Sequence, residues 1–405
     1  MCNFRGVSTE SNFFGAAGAA GRRFLANERG LLFAYWIVGM VWCLQIVLKH
    51  LFFSKTLYDC TFFTFQESFF DLIHHQPLYP GHSNNVFKYS PTFALTFGPF
   101  AVLPAGLGMF FWSVVNFAAF FGVIWFLPLS RRDRLVMLGV SIFDLMTAIR
   151  DWQSNGLVVA AILGTFLCLN KGWPEAAALC VIMGLTIKIY GAVGVVFFLF
   201  FPHKLRFLLS VVVAGLVALL LPLVVISWSE LLDHYRGWYG VLHQDATKYV
   251  KLSVMGLVRQ VTGWTAPVPA SEIVGLAIVL LPLARVHLYQ QLIFRLRFAA
   301  SLLLGMVIFN HMADRQSFAI AAAGAVLWYV LSTRDRFRTV LLFFLVISNI
   351  SSLLHPVTIK VIPFALIWIL LQVELWRQRE NESVPIGHFK DPWASEGRST
   401  SPTPA

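Results

Sequence analysis

The feature that most constrains this chain is the succession of apolar runs, each close to the thickness of a bilayer, that follow one another from residue 31 to residue 377. A hydrocarbon core of roughly 30 Å takes about 20 apolar residues per helix. Peptide groups in lipid have no water to bond, so only helices and closed barrels can span it. The sequence sustains no period-2 alternation, which leaves helices. Composition agrees: 58% hydrophobic residues, 13% charged residues and 38 Phe in 405 exclude both an ordinary soluble domain and a disordered chain. The expected fold class is all-α integral membrane with about twelve transmembrane helices. They fall near 31–53, 108–129, 135–149, 155–170, 175–188, 190–202, 206–228, 272–290, 297–310, 317–332, 338–353 and 360–377.

The formal charge of +11 does not point to nucleic acid, because the basic residues sit at span ends and not on one soluble face. Short cytoplasmic loops retain Lys and Arg during insertion. The clusters are Arg5, Arg22, Arg23 and Arg29; Arg131, Arg132 and Arg134; Lys171; Lys204 and Arg206; Arg285, Arg295 and Arg297; Arg334, Arg336 and Arg338; Arg377 and Arg379. They occur at alternate span ends, which predicts cytoplasmic termini. Residues 1–30 then form a cytoplasmic segment without a cleavage site, 31–377 the membrane domain, and 378–405, rich in Ser, Pro, Glu and Gly, a disordered cytoplasmic tail.

The outer face receives two long segments, 54–107 and 229–271, and several short connections. Both long segments are amphipathic. Phe62, Phe65, Phe69, Phe70 and Ile73 recur among Gln66, Glu67, Asp71 and His74 at helical spacing, which predicts a helix lying in the membrane interface. The stretch 93–103 is too short to span and is expected along the outer leaflet. Of five cysteines (Cys2, Cys43, Cys60, Cys168, Cys180) only Cys60 falls on the outer side, so no disulfide framework is expected. The pairs His74-His75 and His234 with His243 lack the spacing of a metal site.

Sorting polar residues by side shows where chemistry would sit. Asp59, Glu67, Asp71, Lys88, Tyr89, Arg150, Asp151, Gln153, Asn155, Lys188, Tyr190, His234, Arg236, Trp238, Lys248, Asn310, His311, Asp314 and Lys360 all belong to outer connections. Converging loops of this kind are where an active site is built, with cations for an anionic group and a carboxylate for a proton. Lys188 stands out, since it ends an apolar run and more apolar sequence follows. A lysine there is costly unless it meets an anion or reaches the interface. Asp144, within a span, is expected to pair with an outer-face cation.

Phe65-Gln66-Glu67-Ser68-Phe69 through Leu78-Tyr79-Pro80, Phe87-Lys88-Tyr89-Ser90-Pro91-Thr92-Phe93-Ala94-Leu95, Gln153-Ser154-Asn155, Ile187-Lys188-Ile189-Tyr190, and Phe309-Asn310-His311 continuing to Trp328-Tyr329 are motifs that resemble those of glycosyltransferase family 87. They occur in order and on one face, within a resemblance covering about 31–377. The resemblance implies a GT-C-like fold in the bacterial inner membrane. It also implies transfer of a hexose, mannose by analogy, from a polyprenyl-phosphate sugar to a lipid- or glycan-linked acceptor on the periplasmic face, with inversion and with no cofactor or metal. An aspartate in the first outer loop would serve as general base; Asp59 has the family's interval to Leu78-Tyr79, with Glu67 and Asp71 as alternates. Lys188, Lys88 and Arg150 would bind the donor phosphate, and Tyr89, Gln153, Asn155, Tyr190, Trp238, Asn310 and His311 the substrates. The rival reading is a polytopic transporter or lipid flippase, which would carry substrate groups near the midplane on repeated, broken helices. A further rival is a structural subunit of an envelope polysaccharide system. Polar groups gathered at one face, with no internal repeat, favour the enzyme.

Overall fold

The structure, a computed structural model, describes residues 28–53, 60–79, 87–245, 252–264, 267–351 and 360–379. Among the described residues there is no strand, and helices stand at every interval where apolar runs predict them. Three are long and apolar enough to cross a membrane: Glu28–Phe53, Ala105–Trp125 and Lys204–Val224. Shorter apolar helices pack around them.

The first described helix is α1 (Glu28–Phe53), and the first segment expected on the outer face holds α2 (Thr61–Ile73), α3 (Pro91–Thr96) and α4 (Gly98–Ala101). Next come α5 (Ala105–Trp125), α6 (Arg131–Arg150), α7 (Asn155–Asn170) and α8 (Pro174–Ile187), followed by a 3-10 helix over Ile189–Phe200. After α9 (Lys204–Leu220), the second outer segment holds α10 (Trp228–Asp245) and α11 (Val254–Thr262). The chain then returns through α12 (Val268–Leu280), α13 (Leu292–Ile308), α14 (Phe318–Leu331), α15 (Arg336–Ser351) and α16 (Val361–Arg377). Local sequence sets the starts. Ser130 caps α6 by accepting from the Asp133 amide at 3.1 Å, Ser90 caps α3 in the same way with Pro91 in the first turn, and Pro174 opens α8.

Basic clusters from distant parts of the chain meet at one end of the bundle. Arg131 pairs with Glu28 at 2.8 Å, Arg334 with Asp133, Arg206 with Glu175 at 2.5 Å, and Arg338 with Glu374 at 2.6 Å. Arg285 donates to the carbonyls of Leu375, Trp376 and Gln378 at the C-terminus of α16, where the last turn leaves oxygens unpaired. The connections expected on the outer face meet at the other end. Asp144 of α6 pairs there with Lys360 at 2.8 Å, both side chains almost fully enclosed, as a charge in an apolar interior requires.

The first outer segment departs from expectation in what covers its apolar face. α2 forms, but Phe62, Phe63, Phe65 and Leu72 are buried in protein and do not lie on lipid. Phe65 meets Tyr89, Phe93 and Phe97 edge-on at 4.7, 5.0 and 5.3 Å. The stretch expected along the outer leaflet folds instead as α3 and α4, with Phe93, Ala94, Phe97 and Ala101 buried. Nearby aromatic side chains offer this face a denser partner than lipid does. In the second outer segment α11 buries none of its residues and leaves Val261 exposed, as an interfacial helix would.

α8 and the 3-10 helix form a tight hairpin. A Cβ at Gly184 would lie 2.4 Å from the carbonyl oxygen of Gly191, and one at Gly191 would lie 2.6 Å from that of Gly184, so only glycine permits the approach. Fourteen α-helical residues rise about 21 Å, and twelve 3-10 residues about 24 Å, so the arms match in length. Lys188 sits at the tip.

Candidate active site

At Lys188 the α-helix ends. The residue is extended (φ −145, ψ 127) while its amide still bonds to Gly184 O at 2.8 Å. Its ammonium donates to Asn155 Oδ1 at 2.8 Å and reaches Gln153 Oε1 at 3.5 Å, with the Tyr190 ring 5.8 Å away. Gln153 Oε1 also accepts from the Tyr89 hydroxyl at 3.3 Å, and Gln153 Nε2 donates to Thr61 Oγ1 at 3.3 Å. One glutamine therefore ties α2, the 87–90 stretch that carries Tyr89, and Lys188 together. Burial holds the Tyr89 hydroxyl above its usual range, opposed by the neighbouring Lys188 charge, so the phenol is a neutral donor.

The Arg150–Asn155 turn that carries Gln153 is strained and braced. Trp152 is left-handed (φ 50), which costs a non-glycine residue about 1–2 kcal/mol. Its amide bonds to Ile149 O at 3.0 Å, its carbonyl accepts from Trp112 Nε1 at 2.9 Å, and its ring meets His50 edge-on at 4.9 Å. Asp151 and Gln153 flank this fixed residue.

On the opposite wall, the segment between α13 and α14 is built from its own side chains. Asn310 Oδ1 accepts from the Met312 amide at 2.8 Å, and Asp314 Oδ1 accepts from the Ser317 amide and hydroxyl at 2.7 and 2.6 Å. Glu272 Oε1 takes both the His311 amide at 3.1 Å and its ring Nδ1 at 2.6 Å. Gln316 Nε2 donates to Asp151, closing the wall against the end of α6. Trp238 of α10 donates Nε1 to the Lys88 carbonyl at 3.0 Å.

These walls enclose a cavity of about 1410 Å³. Of the residues expected at the site, Lys88, Tyr89, Arg150, Gln153, Lys188, Tyr190, Trp238, Asn310 and His311 line it, and Asn155 stands behind as the acceptor for Lys188. Asp59 lies outside the described residues, as does Lys248; the nearest described residues on either side of Asp59, Phe53 and Cys60, both line the cavity. The alternates Glu67 and Asp71 do not line it. Burial raises both of their carboxyls above the usual range, helped by the Asp71 charge at Glu67 and opposed by His74 at Asp71. Glu272, Asp151 and Asp314 are the cavity carboxylates among the described residues, and each is already hydrogen-bonded to a neighbour. α1 contributes Lys49 and His50, with Trp42 and Ile46 below them. Among the described residues no cluster of three His, Cys, Asp or Glu side chains is arranged to hold a metal ion.

The cavity changes character with depth. On α1, Trp42 is two turns below Lys49, or about 10 Å; on the 3-10 helix, Val195 is seven residues beyond Lys188, or about 14 Å. Over that distance the 3-10 wall passes from the Lys188 cation to Val193 and Val195, and the α1 wall from Lys49 and His50 to Ile46 and Trp42, with Gln45 as the polar residue among them. Residues 87–313 match glycosyltransferase family 87, a stretch that carries every lining residue named above from Lys88 to His311. The chain belongs to that family. Membership makes it a membrane glycosyltransferase and weighs against the transporter reading. Its substrates are therefore a sugar donor and an acceptor. No curated protein matches the chain.

Proposed function

We propose that the protein transfers a hexose, mannose by family analogy, from a polyprenyl-phosphate sugar to a lipid- or glycan-linked acceptor, at the periplasmic face of the bacterial inner membrane. The observation that carries this reading is the two-level cavity, with Lys49, Lys88, Arg150 and Lys188 at one level and chiefly apolar side chains at the other. A sugar phosphate joined to a long apolar chain has the same polarity along its length, whereas a nucleotide sugar has no group for the apolar level.

In this reading Lys188, Lys88 and Arg150 hold the donor phosphate and offset the charge that grows on it as the glycosidic bond breaks. Tyr89, Gln153, Tyr190, Trp238, Asn310 and His311 place sugar and acceptor, and Asn155 keeps Lys188 in position. Asp59 acts as general base: it removes the acceptor hydroxyl's proton while the phosphate leaves from the opposite face of the sugar, giving inversion. The bonded state of Asp151, Glu272 and Asp314 favours positioning roles for those carboxylates. The alternation of basic clusters supports an orientation of the chain with both termini, the 1–30 segment and the 378–405 tail in the cytoplasm.

The test compares donors with the full chain in lipid nanodiscs. Polyprenyl-phosphate mannose should support transfer and GDP-mannose should not. Asp59→Asn should lower the rate by about 10²–10⁴ while donor binding persists. Efficient transfer from the soluble nucleotide sugar would overturn the donor assignment, and wild-type turnover by Asp59→Asn would overturn the base.

A further inference from the structure

Asp144 and Lys360 do not line the cavity, yet their side chains, 1% and 0% exposed, form the most deeply enclosed ion pair among the described residues. Such a pair is a weak source of stability, because the desolvation of two charges offsets most of their attraction and an apolar pair of similar volume often serves as well. The rest of the Lys360 environment shows what else the ammonium does. Nζ lies 2.8 Å from Asp144 Oδ1, 3.5 Å from the carbonyl oxygen of Arg315, and 5.0 Å above the ring of Phe318. Arg315 and Phe318 bracket the turn that ends the Asn310–Ser317 wall, and Arg315 stands between the cavity residues Asp314 and Gln316. Phe318 is also held edge-on by Phe364, one turn beyond Lys360 on α16.

α6 therefore touches this wall at two heights. At its end Asp151 receives Gln316, and seven residues deeper, about 10 Å along the axis, Asp144 holds the ammonium that holds the Arg315 carbonyl. One attachment would leave the turn free to pivot, whereas two fix its orientation relative to α6. The Arg150–Asn155 turn that supports Lys188 springs from the same helix. We propose that Asp144 and Lys360 are a positioning pair that sets the Asn310–Gln316 wall at a fixed distance from Lys188. The proposal rests on the reading of the cavity as the transfer site.

The full chain in nanodiscs carries the test. Single neutral variants strand one buried charge and are prone to misfold, so the informative variant is Asp144→Leu with Lys360→Met, which removes both charges; Lys360→Arg keeps a cation that can donate. Melting temperature is read first, then kcat and KM, then the spectrum of a nitroxide on Arg315→Cys in an otherwise cysteine-free chain, a position outside the cavity lining. The expected result for the double variant is near-wild-type melting, a narrower nitroxide spectrum and a kcat lower by about 10- to 100-fold, with Lys360→Arg recovering a substantial part. A double variant with the wild-type spectrum and wild-type kcat overturns the proposal and leaves the pair a packing feature. A loosened spectrum with kcat unchanged supports the brace and overturns the placement of transfer in this cavity.

Discussion

Replacing Lys188 with methionine tests the site where its geometry is tightest. The substitution keeps most of the side-chain length and removes the ammonium. Two losses follow. The first concerns folding: Asn155, fully buried, loses the donor at 2.8 Å on its Oδ1, and leaving a buried acceptor unpaired costs about 1–3 kcal/mol. The second concerns reaction: a charge-assisted bond to the departing phosphate is worth about 1.5–3 kcal/mol, a 10- to 150-fold loss in kcat/KM. Lys188→Met with Asn155→Leu removes acceptor and donor together, so it should recover melting temperature without recovering transfer. Lys188→Arg should recover part of the rate, since a planar fork cannot sit between Asn155 and Gln153 as a compact ammonium does. The assay is transfer from polyprenyl-phosphate mannose in nanodiscs, with thermal unfolding followed in parallel. A kcat/KM for Lys188→Met within threefold of wild type, in a protein that melts normally, would refute the assignment of Lys188 to the leaving phosphate.

Glu272→Ala takes away a carboxylate that accepts from both the amide and the ring of His311 and should lower kcat/KM by roughly tenfold or more, with Glu272→Gln milder because an acceptor remains; equal rates in steady-state assays would count against His311 in the site. Glu67→Gln and Asp71→Asn should keep full transfer activity. Because both carboxyls are raised in the fold, their ionised forms cost stability once pH rises through the raised values, so the amides should melt slightly higher at pH 7 and show no gain near pH 3.5, below the unfolded values of about 3.9 and 4.3. For orientation, cysteine at His243 should react with an impermeant thiol reagent in intact spheroplasts, and cysteine at Arg336 only after the membrane is opened; the reverse pattern would put the cavity in the cytoplasm.

The convergence of Lys188, Tyr89, Gln153, Trp238, Asn310 and His311 was legible in sequence because charge alternation sorts loops by side, and loops on one side of a small bundle have little choice but to meet. Glu272 was hidden by the same averaging that reveals spans, since a single carboxylate hardly lowers the mean hydropathy of the apolar interval at 272–290 that contains it. Lys49 and His50 were hidden in the same way inside the first span. Periodicity also identified α2 as amphipathic but is silent on what lies against the apolar face, which the aromatic side chains of Phe93, Phe97 and Trp112 decide. That Asp144 would need a cation followed from the cost of a lone intramembrane charge, but that the cation is Lys360, and that it reaches Arg315, depends on tertiary packing. The 3-10 conformation of Ile189–Phe200 leaves no signature in an apolar run, since hydropathy does not distinguish three residues per turn from 3.6.

The hairpin at Lys188 makes this part of the chain sensitive to length more than to side-chain identity. Gly184 and Gly191 face each other with no room for a Cβ, so the number of residues between them is fixed by backbone contact. Deleting one residue from the start of the 3-10 helix would turn everything after it by about 120° and draw it up by about 2 Å. Gly191 would leave Gly184, and a side-chain-bearing neighbour would arrive in its place. Insertions and deletions, usually best tolerated where a chain reverses direction, should be poorly accepted at this reversal, while the lipid-facing positions of its two arms accept exchange among apolar residues.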